Sequence, residues 1–179
     1  MFFYRTQHTL FLDIGHYLAK AAYVTRSGNS FTVQRFEKRP IPQKTFENAQ
    51  ITDPLKFKEF LHQLLRAFPE SAQTGTLHLT ASDRHTFLKK IILPTPLPKN
   101  LDQHMLYEAE QMAPYPIAEA IVDYSIMDTD PYFATYAQTG ESQLLTTISK
   151  QSILSGIKEA FEEIDRPLSV VSPGSIGLF

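Results

Sequence analysis

Histidine, carboxylate and serine side chains carry most protein chemistry, and in this 179-residue chain their spacing supports little of it. The six histidines, His8, His16, His62, His78, His85 and His104, form no i,i+4 pair with one another, and no carboxylate is read at metal-ligand spacing, so no metal site is expected. Glu108 and Glu110 lie two apart on a helical segment and cannot face each other as an acid–base pair. No serine sits in a G-x-S-x-G turn. Cysteine is absent, which excludes disulfides and zinc-thiolate ligation. Lys89 and Lys90, with Arg84, Lys99 and Phe87, could form a small basic-aromatic patch. At a formal charge of −2 a solvated strand edge is the better reading, and no nucleic acid is expected as a partner. Two segments remain: the turn Asp13–Ile14–Gly15, the one candidate for chemistry, and Tyr107–Pro116, which reads YEAEQMAPYP.

The second segment closes a helix with a legible start. Asn100 can cap the first turn and Gln103 can reach back to it. Leu101, Met105, Ala109 and Met112 fall on one face, and Pro114 and Pro116 stop the helix. Upstream, strands are expected at Thr9–Ile14, Leu18–Thr25 and Ser30–Pro40, the last two joined through Arg26–Ser27–Gly28–Asn29. Asp53 and Pro54 open a helix with an apolar stripe of Phe57, Phe60, Leu61, Leu64, Leu65 and Phe68, ended by Pro69. Strands follow at Thr76–Thr80 and His85–Leu93, and beyond the Asn100–Ala113 helix at Ile121–Met127 and Gln143–Ile148. Ser149 caps a last helix carrying Ile153, Ile157, Phe161 and Ile164, closed by Pro167, before a strand at Leu168–Val171. Asp128–Glu141 reads as a loop or irregular hairpin.

Composition sets the bounds. With 42% hydrophobic residues the chain can form one ordinary domain or two small ones around a real core. There is no continuous apolar run of membrane-spanning length and no secretory signal pattern, and the apolar Met1–Phe2–Phe3–Tyr4 is far too short to span. The expectation is a soluble protein of a reducing compartment.

In the order of its elements and in two motifs the chain resembles a known family. The start, TLFLDIGHYLAKAAYV, resembles the first hairpin of the actin-like superfamily, which includes actin, Hsp70 and sugar kinases. Within it, KKIILP followed by YEAEQMAPYP and then Val122–Asp123–Tyr124 is similar to PilM-like proteins of type IV pilus assembly and their relatives FtsA and the cytoplasmic part of GspL. The resemblance runs from about Thr9 to the C-terminus. It implies an α+β (α/β) fold: half of an actin-like (ribonuclease H-like) fold with an inserted strand-helix-strand-strand (SHS2-type) module. Residues 1–84 and 166–179 would form the discontinuous first subdomain, and 85–165 the module.

The resemblance also implies roles. In actin-like ATPases the first turn holds phosphate oxygens and organises hydrated Mg²⁺, and Asp13, Gly15 and Lys20 occupy the matching positions. His16, Tyr17 and Leu18 are bulky where phosphate needs room and donors, so a vestigial site without ATP or Mg²⁺ is expected. No second D-x-G turn follows, and the chain ends about where the second half of such a protein would begin. It therefore reads as a longer protein cut here, a natural half, or a cytoplasmic domain ahead of a membrane anchor. PilM-like proteins hold a short cytoplasmic peptide of a single-span partner, PilN, in a groove between the first subdomain and the module. The expected role is accordingly a non-catalytic cytoplasmic scaffold, peripheral to the inner membrane, in pilus assembly or type II secretion. Its partners would be PilN-like proteins and the assembly ATPase, with homo-oligomers as an option. Phe87, Leu88, Met105, Tyr107, Glu108, Gln111, Met112 and Tyr115 are the expected peptide-binding residues. Met105 and Met112 also fit the core stripe, which leaves Tyr107 and Gln111 the better surface candidates. The alternative is the front half of a functioning actin-like ATPase.

Overall fold

A computed structural model describes residues 6–81, 84, 86–127 and 140–174. The expectations placed on Met1–Tyr4, on His85, on most of Asp128–Glu141 and on the last residues lie outside the described residues. The chain divides into two compact units, 1–84 with 155–179, and 85–154. The expected boundary after residue 165 thus falls earlier, between Leu154 and Ser155.

The first unit is built on strands β1 (Gln7–Ile14), β2 (Leu18–Ser27), β3 (Ser30–Pro40), β6 (Thr76–Ala81) and β10 (Val170–Pro173), ordered β10-β6-β1-β2-β3. The β1–β2–β3 meander is antiparallel, while β6 runs parallel to both β1 and β10. Two-residue periodicity explains the burial. Leu10, Leu12 and Ile14, Ala19, Ala21 and Tyr23, and Leu77 and Leu79 are all buried, whereas the residues between them face the other way. The β2–β3 turn is the pair Gly28–Asn29, and only Gly28 takes a positive φ, +59°.

Helix α1 (Pro54–Leu65) begins where the sequence says it should. The Asp53 carboxylate accepts the Lys56 backbone N–H at 3.0 Å, and Pro54 fills the first helical position. Phe57 is fully buried, with ring contacts to Phe46, Phe60 and Phe161 at 5.0, 6.5 and 6.5 Å. Full burial of each such side chain stabilises the fold by about 1.5–3 kcal/mol. Phe161 belongs to α4 (Gln151–Glu162), whose Ile157, Ala160 and Phe161 are buried; this is why most of α4 goes with the first unit. Four small elements escaped the sequence pattern: the short pair β4 (Phe46–Glu47) and β5 (Gln50–Ile51), the five-residue α2 (Glu70–Thr74) and a 3-10 turn at Ile117–Glu119. Gly75, after α2, lies so close to β1 that a Cβ there would be 2.4 Å from the His8 carbonyl oxygen.

The second unit has the sheet β7-β9-β8, from β7 (Thr86–Pro94), β8 (Ala120–Ile126) and β9 (Glu141–Lys150), all pairs antiparallel. Helix α3 (Leu101–Met112) supplies the fourth element, so the order is strand, helix, strand, strand. Its core is Ile91, Leu93, Met105 and Leu144, with Leu97, Leu101, Met112, Tyr124 and Ile126 packed around it. Topology and order are those of half an actin-like fold with an inserted module.

Two expected caps are not formed. Asn100 makes no side-chain bond to the first turn of α3; its amide donates to the Gln103 side chain at 3.4 Å instead. Ser149 does not cap α4, because β9 continues to Lys150 and the Ser149 hydroxyl bonds that of Thr86 at 3.0 Å. In both cases a side-chain partner took the group that the local pattern had assigned to the backbone.

Candidate functional site

The first candidate is the β1–β2 turn. Asp13 and Lys20 face each other across the two strands, and the Lys20 ammonium donates to the Asp13 carboxylate at 2.6 Å. Both side chains are nearly half exposed, so the pair contributes about 0–1 kcal/mol. The Gly15 N–H donates to the Leu18 carbonyl at 3.1 Å, and a Cβ at Gly15 would meet that oxygen at 3.1 Å, which explains glycine there. The Tyr17 carbonyl accepts the Ile41 N–H at 2.9 Å, and the Tyr17 ring, 79% exposed, has His16 edge-on at 4.5 Å. At this turn the Gly15 donor and the Asp13 carboxylate each have a partner within the hairpin, and the His16 and Tyr17 rings lie beside it. Among the described residues, no group of three or more His, Asp or Glu could hold a metal ion.

The second candidate is α3 and its surroundings, where the eight expected residues separate. Met105 is 1% exposed and belongs to the core, not to a binding surface. Met112 packs beside it. Both correct the expectation in the same way, since the apolar stripe of α3 is the face that covers the sheet. Phe87 and Leu88 are consecutive on β7 and point to opposite faces of the sheet, opposite Ile148 and Thr147 respectively. They cannot line one site. Glu108 is half-buried and lies 3.7 Å from His104, one turn earlier. That pair has the i,i+4 spacing of a histidine and a carboxylate, and the sequence reading had passed over it.

What remains together is an outer strip of α3. Tyr107 is 60% exposed, and Gln111 one turn later is exposed beside it. Leu106 is also half exposed on α3, but as the residue next to Tyr107 it lies on a different side of the helix. Beyond the helix, Tyr115 forms a second small cluster. Its ring lies 6.2 Å from Phe87 and 6.0 Å from the Lys150 ammonium, and partial burial pushes its hydroxyl pKa up. Tyr124 ties β8 to the start of α3 through a 2.5 Å hydrogen bond from its hydroxyl to Asp102, which raises the Tyr124 pKa. Helical spacing puts the His104–Glu108 pair on the same face as Tyr107 and Gln111. The strip offers aromatic and amide groups on the outer face of α3.

The family model described as "Type IV pilus assembly protein PilM" matches residues 11–160, most of the chain. The chain belongs to that PilM family. The match takes in the Asp13 turn, the YEAEQMAPYP helix end and β9. No curated protein matches the chain in sequence. Among solved structures it is similar to PilM in a PilM–PilN type IV pilus biogenesis complex, at 22% identity and a TM-score of 0.75, covering 93% of this chain and 47% of that one. It is also similar to the cytoplasmic domain of EpsL, an inner-membrane component of the type II secretion system of Vibrio cholerae. There the identity is 9% and the TM-score 0.52, over 93% of this chain and 57% of that one. The chain therefore spans about half the length of the PilM it matches. Among the described residues, no helix is long and apolar enough to cross a membrane.

Proposed function

We propose that this PilM-family chain is a non-catalytic scaffold of an inner-membrane platform, and that it binds a short cytoplasmic segment of a PilN-like single-span protein. The observation that carries the reading is the outer strip of α3, where Tyr107 stands 60% exposed one turn from Gln111, within the YEAEQMAPYP motif. Tyrosine supplies a large contact at small entropic cost, and a glutamine amide can satisfy both a peptide N–H and a peptide carbonyl. The His16 and Tyr17 rings at the β1–β2 turn support the non-catalytic half of the proposal, because a phosphate cradle needs room and donors there. The scaffold works without ATP, and a type IV pilus or type II secretion ATPase is its second partner.

The test is capture from detergent-solubilised membranes of the source cell, with and without Mg-ATP, using the wild-type chain and a Tyr107→Ala/Gln111→Ala variant as bait. The expected result is a single-span protein with a short cytoplasmic tail, recovered equally with or without nucleotide and lost with the variant. Recovery only with Mg-ATP would overturn the proposal in favour of the front half of a working ATPase. Equal recovery with the variant would move the site off α3.

A further inference from the structure

The chain carries a net charge of −2, yet the β2–β3 hairpin holds Lys20, Arg26, Arg35, Lys38 and Arg39. Lys20 is paired with Asp13 and Arg35 with Glu37, each at 2.6 Å, while Arg26, Lys38 and Arg39 are in no salt bridge among the described residues. Among the described residues no strand pairs with the outer side of β3, which is eleven residues long and exposed along most of its length. Phe31, Val33 and Phe36 are 67%, 63% and 52% exposed.

Hairpin geometry says which backbone groups face outward. A two-residue turn makes its flanking pair, Ser27 and Ser30, the first mutually hydrogen-bonded pair, and bonded and non-bonded pairs then alternate. The register shift between Tyr23 and Val24 places both Gln34 and Arg35 near Tyr23 and restores the alternation beyond it. The N–H and C=O of Phe31, Val33, Phe36 and Lys38 therefore point away from β2. Pro40, opposite Leu18, is the next outward position, where a missing N–H costs the β2 ladder nothing. The same alternation puts the Phe31, Val33, Phe36 and Lys38 side chains on one face. Beside the shift, a shallow depression is lined by Gln34, Arg35, Arg66 and Phe68, so two guanidinium groups border it.

We propose that the outer edge of β3 takes up an extended acidic segment of a partner protein as an added strand. The open backbone groups supply the ladder, Phe31, Val33 and Phe36 contact alternate apolar side chains, and Lys38, Arg39 and Arg66 receive the carboxylates, Arg35 being held by Glu37. An anionic membrane would meet the same charges but would leave the outward N–H groups without a partner. The edge is therefore assigned to a peptide. This surface is separate from the α3 strip and does not depend on the function proposed for it.

The probe is a fluorescein-labelled ten-residue peptide of alternating Glu and Val, with an alternating Lys and Val peptide and phosphatidylglycerol vesicles as comparisons. Two variants of the full chain separate the contributions. Phe36→Pro removes a donor that β2 does not use, and Lys38→Glu/Arg39→Glu reverses charge on exposed and half-exposed side chains. The acidic peptide is expected to bind in fluorescence polarisation and to be weakened at least about tenfold by either variant. It is also expected to slow hydrogen exchange at Val33, Phe36 and Lys38, while the inward amides of Thr32 and Glu37 keep the protection they already have. Equal binding of the basic peptide, or unchanged binding by both variants, would overturn the proposal. So would protection of the hairpin by vesicles with none by the peptide.

Discussion

Met105→Ala and Tyr107→Ala, two residues apart on α3, should have opposite consequences. Met105 is 1% exposed and packs among Ile91, Leu93 and Leu144. Truncating a buried methionine to alanine loses the transfer energy of the deleted atoms and leaves a cavity, at a cost of about 2–5 kcal/mol. The unit concerned runs from residue 85 to 154, and in a domain of that size each kcal/mol moves the melting temperature by about 4–8 °C. The lower limits of the two ranges together give a fall of at least about 8 °C. Tyr107 is 60% exposed, and its truncation should change stability by under about 0.5 kcal/mol. Capture of the membrane partner, by contrast, should weaken by about tenfold or more, as truncation of an aromatic anchor does. The assay pairs thermal melting by circular dichroism with quantitative capture for each variant. A Met105→Ala chain that melts within about 2 °C of wild type would refute the core assignment. A Tyr107→Ala chain that loses as much stability as Met105→Ala would refute the separation of the two faces.

Gly75→Ala should destabilise the first unit by about 1–3 kcal/mol, because the added Cβ would lie 2.4 Å from the His8 carbonyl oxygen and β1 would have to move away from the turn after α2; an unchanged urea midpoint would contradict this. Asp53 has its pKa lowered from 3.8, chiefly by the hydrogen bond from the Lys56 side chain and next by that from the Lys56 backbone. A depressed carboxylate pKa stabilises the fold above the unfolded value and loses that contribution as pH falls through the folded one. Asp53→Asn retains an oxygen for the Lys56 N–H but cannot titrate. Urea midpoints followed from about pH 6 down to about pH 2 should therefore fall less steeply for the variant, and superimposable slopes would count against the assignment.

Elements with a strong period or a strong cap were legible. The stripe of α1, its Asp53–Pro54 start, the three-strand meander and the α3 helix with its proline stop all lie where the residue pattern puts them, within a few positions. Short elements were not: β4, β5 and α2 have too few residues to show a period, and α2 is held by neighbours, including Arg166, whose guanidinium reaches the Ala72 carbonyl at 3.4 Å. The candidate site was half legible. Helical spacing already separated Tyr107 and Gln111 from the stripe of Met105 and Met112, but it could not say whether that stripe met a sheet of its own chain or a partner.

The amino-acid sequence by itself determined the family, the order of the long strands and helices, and the side of α3 that must be apolar. These follow from local periodicity, proline and glycine positions and the YEAEQMAPYP motif, all of which act over a few residues. Tertiary structure decided the rest. Pairing β1 with β2 set Lys20 opposite Asp13 and within 2.6 Å of its carboxylate. Pairing β7 with β9 set Phe87 opposite Ile148 and Leu88 opposite Thr147. Leaving β3 at the end of its sheet opened a basic, aromatic edge that no local pattern announces. Each depends on which strand lies beside which, and that is settled by packing between residues far apart in the chain.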